Sequence, residues 1–166
     1  MQSQTQNGTA VQRAVSVCAR AASSLTGPTG PLRYREGVSS GLNPETNLNL
    51  LTTAQREQLL ANGRSQRRAI DAGDLPLDFE PVVKLFTSNA SATWLLTELT
   101  PENTSLAFAL CDLGVGEPEL GYVHLAELTS LHDTLGLRVE RDLSFVASKP
   151  ISAYAELARN HRRIVT

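Results

Sequence analysis

The sequence is poor in cysteine and has no long apolar run. Cys18 lies in a polar N-terminal segment and Cys111 in an apolar stretch, and neither has a second Cys or a His at the spacing of metal ligands. The two regions look structurally unrelated, so we interpret both residues as reduced thiols and not as a disulfide. A membrane span needs roughly 18 consecutive apolar residues, and the N-terminus lacks the basic and apolar regions of a secretory signal. We therefore expect a cytoplasmic protein with no zinc site and no membrane partner.

Charge is also scarce. Charged residues make up 19% of the 166 residues, and the net charge is -2. Residues 1–49 carry four Arg and two Glu, a net charge of +2, whereas the remainder carries -4. A mildly acidic folded part lacks the basic stripe that duplex-binding proteins use to neutralise phosphates. Nucleic acid stays open as a partner but is disfavoured.

No familiar catalytic motif is present. The sequence contains no P-loop, no glycine pattern for dinucleotides, no nucleophile elbow and no metalloprotease helix. This argues against the common enzyme classes but leaves an unusual one open. We predict no cofactor and no metal ion, and we favour a role other than catalysis.

The N-terminal part is expected to be a flexible extension over residues 1–47. Residues 26–49 are rich in Gly, Pro, Ser, Asn and Thr, a composition that cannot bury enough apolar surface to order itself. Residues 10–25 are rich in Ala and place apolar residues at helical spacing. A helix of this length is marginal alone, so we favour a loosely helical tail over a helix that docks on a partner or a second copy.

Residues 48–161 are expected to form one α+β domain, followed by a tail at 162–166. Three runs of β-branched, aliphatic and aromatic residues follow one another at hairpin spacing, over 81–87, 92–99 and 105–113. Connections this short cannot carry a parallel crossover, so the strands should form an antiparallel meander. We expect three or four strands packed against two or three helices.

The first helix has the clearest local signal. Thr52 followed by Gln55 is a capping-box pattern. Gly63 is predicted to end this helix, and residues 64–81 are predicted to be a loop. Two further helices are predicted, over residues 125–135 and 151–161.

Alternation with a period of two predicts which side chains share a face of the sheet. It places Glu98 on the same face as Trp94, where a carboxylate must find a partner or reach water. Residues 139–145 alternate in the same way. They are predicted to form a further half-buried strand, with Val139 and Phe145 on one face.

Four motifs follow one another within this domain. They are VKLFT at 83–87, TWLLTE at 93–98, ELGYV at 119–123 and GLRVERDL at 136–143. In order and spacing the chain resembles the bacterial domain-of-unknown-function family 2958, over about residues 50–155. The resemblance implies a protein carried by plasmids, conjugative elements or other mobile DNA, and it implies no activity.

The polar and aromatic residues of these motifs are the candidate functional residues. They are Lys84, Trp94, Glu98, Glu119, Tyr122, Glu140, Arg141 and Asp142. Their simplest role is a salt-bridge network in which Arg141 pairs with Glu98 or Glu119, because an unpaired buried charge is costly. If the carboxylates converge in a cleft, they could instead perform acid–base chemistry or bind a metal.

Three functions therefore stay open, and catalytic residues are unknown. The preferred hypothesis is a non-catalytic adaptor of a mobile element that acts through a protein partner. The second is an enzyme or metal-binding protein with an acidic cleft around Glu98, Glu119 and Glu140. The third is single-stranded nucleic-acid binding, with Trp94 or Tyr122 stacking on bases. In that hypothesis the phosphates would be bound by Arg64, Arg67, Arg68, Arg162 and Arg163.

Overall fold

The computed structural model describes residues 50–88, 90–135 and 138–166, and it describes side chains throughout these ranges except at 132–135. The predicted extension over 1–47, its helix at 10–25 and Cys18 lie outside the described residues. The elements of the described part are α1 (Thr53–Ala72), β1 (Val83–Thr87), β2 (Thr93–Thr100), β3 (Asn103–Asp112), β4 (Glu119–His124), α2 (Leu125–Leu135), β5 (Val139–Arg141) and α3 (Ile151–His161).

The five strands form one sheet in the order β4-β3-β2-β1-β5, and every neighbouring pair is antiparallel. This confirms the α+β class and the antiparallel meander. The sheet has one strand more than the three or four that we expected. Both β4 and the three-residue β5 join it, as its two edges.

Helices cover both faces of the sheet, and two apolar clusters result. On the face that we call the α1 face, Trp94 and Leu96 pack with Leu59 of α1 and Leu128 of α2. On the opposite face, the α3 face, the cluster joins two sheet residues to the third helix. Its buried members are Leu95, Leu110, Ile151, Tyr154, Ala155 and Ala158. Strand β2 lies between the clusters, and its six inner residues are all buried.

Helix α1 is longer than predicted. The capping box is present, because the Thr52 hydroxyl accepts a hydrogen bond from the Gln55 amide at 3.1 Å and the Gln55 side chain accepts one from the Thr52 amide at 3.0 Å. The prediction that Gly63 ends the helix was wrong. The helix continues to Ala72, and Gly73 ends it in the left-handed conformation, with φ 77°. Residues 64–72 are therefore helical and not part of a loop.

Gly63 is a packing residue inside this helix. A Cβ atom on Gly63 would lie 1.9 Å from the carbonyl oxygen of Leu99 in β2. Only glycine lets the backbones of the helix and the strand approach so closely. The same residue type that signals a helix end thus marks a contact between two elements.

A β-bulge interrupts β2. Leu96 pairs with Ala109 and Glu98 pairs with Phe108, which leaves Thr97 as an extra residue. The Thr97 carbonyl accepts a hydrogen bond from the side-chain amide of Asn62 in α1, at 2.7 Å. The helix therefore supplies a hydrogen-bond partner at the point where the strand ladder is irregular.

Replacing Asn62 with alanine is expected to lower the free energy of unfolding by about 1.5 kcal/mol, because the buried Thr97 carbonyl then lacks this donor. Urea unfolding measures the change. The control is Gln58→Ala, which removes the bond from Gln58 Nε2 to Asn62 Oδ1 at 2.9 Å on the exposed side and should cost less than about 0.5 kcal/mol. Equal losses of unfolding free energy in the two variants would show that the hydrogen bond to Thr97 stabilises the fold no more than the bond from Gln58 to Asn62.

Strand β5 is shorter than predicted. It ends at Arg141, because the next residue, Asp142, accepts hydrogen bonds from the Ser144 amide at 3.0 Å and hydroxyl at 2.8 Å and so forms a turn. Val139 packs on the α1-face cluster, whereas Phe145 packs on the α3-face cluster. The prediction that these two side chains share one face was therefore wrong.

The start of α3 is tied to the segment before β1. The Ile151 amide donates to the Phe79 carbonyl at 2.9 Å, and the Ser152 hydroxyl donates to Asp78 Oδ2 at 2.6 Å. The sequence predicted both ends of α3 correctly. Within the described ranges, no helix is long and apolar enough to cross a membrane.

Residues 162–166, assigned to a tail from the sequence, lie against the domain. Ile164 packs on the α3-face cluster, and its amide donates to Asp112 Oδ2 at 2.8 Å. The Lys84 ammonium donates to the hydroxyl of Thr166 at 2.7 Å. Helix α3 is therefore anchored at its start to the segment before β1 and, through the residues after its end, to the sheet.

Candidate functional site

The structure spreads the eight candidate residues over two faces and both edges of the sheet. Glu119 opens β4 at one edge, whereas Arg141 ends β5 at the other. Arg141 pairs with Leu85, which lies on the α1 face, whereas Glu98 lies on the α3 face. Among the described residues, Arg141 therefore forms neither of the ion pairs expected of a salt-bridge network.

The three carboxylates of the predicted acidic cleft do not converge either. Glu119 pairs with Cys111 and so lies on the α1 face. Glu140 pairs with Phe86 in β1, and strand β1 separates it from Glu98 in β2. In the described part of the chain, no group of three or more His, Cys, Asp or Glu could hold a metal ion.

The residues considered for single-stranded nucleic acid do not share one surface. Trp94 is 3% exposed within the core and offers no face to a base. Arg67 lies on α1 and pairs with Glu102 at 3.1 Å, whereas Arg162 and Arg163 follow α3 on the opposite side of the sheet. A continuous path for a phosphate backbone is therefore not formed by these residues.

Lys84 and Asp142 form an ion pair with an N–O distance of 3.2 Å. The pKa of Asp142 is lowered, mainly by hydrogen bonds from the hydroxyl and amide of Ser144 and further by the Lys84 ammonium. These contacts hold the β5 turn against β1. We interpret this pair as part of the scaffold.

Glu98 has the most unusual environment of the candidates. The residue is only 7% exposed, and in the described part of the chain its carboxylate makes no ion pair or hydrogen bond. Burial raises its pKa from the ordinary 4.5 to about 7. The prediction that Glu98 shares a face with Trp94 was wrong, because the bulge at Thr97 turns the strand by one residue and directs Glu98 to the α3 face.

Only part of the α3 face is covered by α3. The helix packs on Leu95 and Leu110, whereas Phe108 and Tyr122 stand outside that cluster and are half-buried. Strand pairing places further side chains beside them. We call this surface the open half of the sheet, and it consists of Glu98, Leu106, Phe108, Leu120, Tyr122 and His124.

Two aromatic rings form the centre of the open half. Phe108 and Tyr122 pack edge to face, with centroids 5.1 Å apart and an interplanar angle of 63°. The pKa of Tyr122 is raised by burial and then by the negative charges of Glu98 and Glu102. The surface is therefore aromatic and electronegative, which suits a cationic group better than an anionic one.

Two residues that shape this surface were absent from the sequence-based candidates. Phe108 lies between the recognised motifs, and Asn62 lies in a helix that looked purely structural. The one available signal was a polar Asn beside Gly63 on the helix side that turns out to be buried. Its partner, Thr97, is too far along the chain for sequence patterns to connect them.

The described residues define a small α+β domain with a five-stranded antiparallel sheet and helices on both faces, and among them α3 covers only part of one sheet face. A family model described as "Protein of unknown function (DUF2958)" matches residues 50–165. The chain belongs to this family, which confirms the resemblance drawn from its four motifs. No curated protein and no solved structure matches the chain.

Proposed function

We propose that this domain is a non-catalytic protein-binding module, an adaptor, whose open half of the sheet receives a basic side chain of a partner protein. The observation that carries the proposal is the carboxylate of Glu98, which is buried beside Phe108 and Tyr122 without a cationic partner among the described residues. A lysine or arginine of the partner would supply the missing charge.

The electrostatic argument starts from the free-energy cost of burying the ionised Glu98 carboxylate, which no cation among the described residues of the domain offsets. Burying an ionised carboxylate without a partner is unfavourable. The pKa of Glu98 is raised because burial disfavours its ionised form. An ammonium group about 4 Å away would gain up to about 4 kcal/mol of Coulomb energy at the effective dielectric constant of a protein surface. The cation must lose water to reach Glu98, so the net gain is smaller.

The aromatic pair adds a second attraction. A cation over an aromatic ring gains about 0.5–1 kcal/mol at an exposed site and more when it loses water. Aromatic residues also carry much of the binding energy in protein interfaces. Phe108 and Tyr122 are half-buried, so their rings are partly accessible while their positions are fixed by the sheet.

Acid–base catalysis is the second candidate, and the pKa of Glu98 near 7 is the observation in its favour. A catalytic cleft needs further groups that act on the same substrate. Glu119 and Glu140, the other two carboxylates of that hypothesis, lie elsewhere on the sheet. The binding module therefore accounts for more of the geometry.

The sequence motifs indicate a biological context for the proposed adaptor. The resemblance to the bacterial family supports an accessory protein of a plasmid or another mobile element, acting in the cytoplasm. In that setting an adaptor would recruit a host or element protein through a basic segment. The identity of that partner follows from the experiment below and not from the fold.

The test is binding of the full chain to short peptides that carry a central lysine, compared with the same peptides carrying norleucine, its uncharged analogue. We expect a subset of lysine peptides to bind, and binding to weaken about tenfold with norleucine or with Glu98→Gln. Glu119→Gln is the control, because Glu119 is exposed and lies on the other face. Fluorescence anisotropy gives the dissociation constants.

Equal affinity for lysine and norleucine peptides, or an unchanged affinity of Glu98→Gln, would exclude recognition of a cation by Glu98. Binding should also strengthen as the pH rises through 7, because only the ionised carboxylate attracts the cation. Affinity that is independent of pH in this range would argue against the same step.

A further inference from the structure

A separate cleft lies at the C-terminal end of α3, away from the open half of the sheet. Its volume is about 540 Å³, within the range of small-molecule sites. The turn before β2, the loop after β3 and the residues after α3 surround it. The lining residues that matter here are Ser91, Thr93, Gly114, Gly116, Arg162 and Arg163.

The backbone of Arg162 is unusual. In the described ranges, Arg162 is the one residue other than glycine with a positive φ, 55°. It occupies the end of α3, a position where glycine is common because a side chain there is strained. Strain of this kind is often kept where a side chain has a function.

The guanidinium of Arg162 is held at the cleft. Its Nε donates to the carbonyl oxygen of Gly116 at 3.4 Å. Gly116 has φ 86°, and an added Cβ would lie 3.3 Å from that Nε. The missing side chain of Gly116 thus leaves room for the guanidinium beside the loop.

Asp112, the one carboxylate among the described residues that line the cleft, does not neutralise the arginines. Asp112 is buried, and its oxygens accept hydrogen bonds from the amides of Gly114 and Ile164, each at 2.8 Å. Within the described part of the chain, neither Arg162 nor Arg163 forms an ion pair. Two exposed guanidiniums therefore remain available to an external anion.

We infer that this cleft binds the phosphate group of a small phosphate monoester. Guanidinium groups form paired, charge-assisted hydrogen bonds with phosphate oxygens. Arg162 and Arg163 would bind the phosphate, and the hydroxyls of Ser91 and Thr93 line the same cleft as further donors.

An adjoining cleft of about 360 Å³ offers space for the organic part of the ester. It shares Ser91 and Thr93 with the first cleft and is also lined by Phe86 and Lys84. Lys84 is already paired with Asp142, so this side is less suited to a second phosphate. A ligand with one phosphate and an uncharged body fits the pair of clefts.

Two features of the site disfavour the binding of an anion, and they determine how binding should depend on the salt concentration. The C-terminal end of a helix carries partial negative charge, and Asp112 lies in the cleft wall. The two guanidiniums outweigh these terms at low salt, because the Asp112 charge is already compensated by backbone amides. Binding should therefore weaken as the salt concentration rises.

The test is an NMR titration of the full chain with inorganic phosphate and, separately, with ribose 5-phosphate. We expect saturable shifts at the amides of Gly114 and Gly116 and at the Nε of Arg162, with the ester binding about tenfold more tightly than phosphate. If neither probe causes saturable shifts, the inference that this cleft binds phosphate is wrong. Equal affinity for the two probes would overturn the assignment to an ester.

Variants separate binding from folding. Arg163→Gln and Arg162→Gly should each weaken ribose 5-phosphate binding about tenfold or more. Glycine relieves the positive φ of Arg162, so Arg162→Gly should keep or raise the thermal midpoint while binding weakens. Arg159→Gln, in the last turn of α3 but outside the residues that line the cleft, and Glu98→Gln should both bind normally. Unchanged binding by Arg162→Gly would contradict the inference.

Discussion

Replacing Gly63 with alanine is expected to lower the free energy of unfolding by about 3 kcal/mol, with a fall of roughly 10 to 20 °C in the thermal midpoint. Alanine favours a helix over glycine by about 1 kcal/mol, so propensity alone predicts a more stable protein. The new Cβ would lie 1.9 Å from the Leu99 carbonyl oxygen, and the helix must move away from β2 to relieve the overlap. Packing therefore outweighs propensity.

Gly73→Ala is the matched control for this variant. Gly73 ends the same helix with φ 77°, and an added Cβ there meets no atom within 4 Å. It should cost about 1 kcal/mol through the backbone alone. Urea and thermal unfolding of both variants give the comparison, and a Gly63→Ala protein as stable as the original would disprove the close contact.

Replacing Glu98 with glutamine is expected to raise the free energy of unfolding by about 2 kcal/mol at pH 8, a figure reduced for the screening by water that reaches the carboxyl group. The pKa of Glu98 is about 7 in the folded protein, above the ordinary 4.5 expected in the unfolded chain. Between these values the unfolded chain ionises while the folded protein stays protonated, so stability falls as the pH rises from about 4.5 to 7. Glutamine cannot ionise and removes this loss.

Urea unfolding of both proteins between pH 4 and pH 8 measures the effect as a difference. His124 and Tyr122 on the same surface, and Glu102 near Tyr122, are present in both proteins, so their contributions largely cancel. The difference should be small near pH 4 and greatest above pH 7. Parallel stability curves would show that the carboxyl group is not buried in the way described. A more stable protein that binds lysine peptides poorly would indicate that Glu98 is kept for binding at a cost in stability.

The parts of the fold that the sequence predicted correctly depend on short-range patterns. The capping box at Thr52 and Gln55 involves residues three positions apart, and the hairpin spacings leave no room for a parallel crossover. Both helices after β4 begin where their local pattern predicts. Signals of this kind depend only on residues that are close together in the sequence.

The wrong predictions share a different cause. The role of Gly63 depends on Leu99, and the irregular ladder at Thr97 lies where Asn62, which is 35 residues away, donates to the Thr97 carbonyl. A period of two assumes an unbroken strand, so a single extra residue moved Glu98 to the other face. Contacts between distant segments decided these features, and a single sequence does not display such contacts.

The sequence indicated only some residues of the candidate site, again because contacts between distant segments form it. Glu98 and Tyr122 belong to recognisable motifs, but the residues that give them a common surface are Phe108, Asn62 and the bulge. The left-handed conformation of Arg162 leaves no mark in composition or spacing, because arginine is an ordinary residue at a helix end. The sequence named Arg162 only as one of several cations for a nucleic-acid phosphate, and its strained position became visible from the backbone angle.

The division of the interior into two clusters has a consequence for how the chain folds during synthesis. All buried members of the α1-face cluster lie between Leu50 and Leu131, whereas the other cluster requires residues of α3. Domains form from the N-terminal side as the ribosome releases them, so the first cluster can assemble before α3 emerges. Among the described residues, the buried side chains that pack with Leu95 and Leu110 all belong to α3. A nascent chain stalled before residue 151 would therefore lack them and would expose these two leucines more to chaperones.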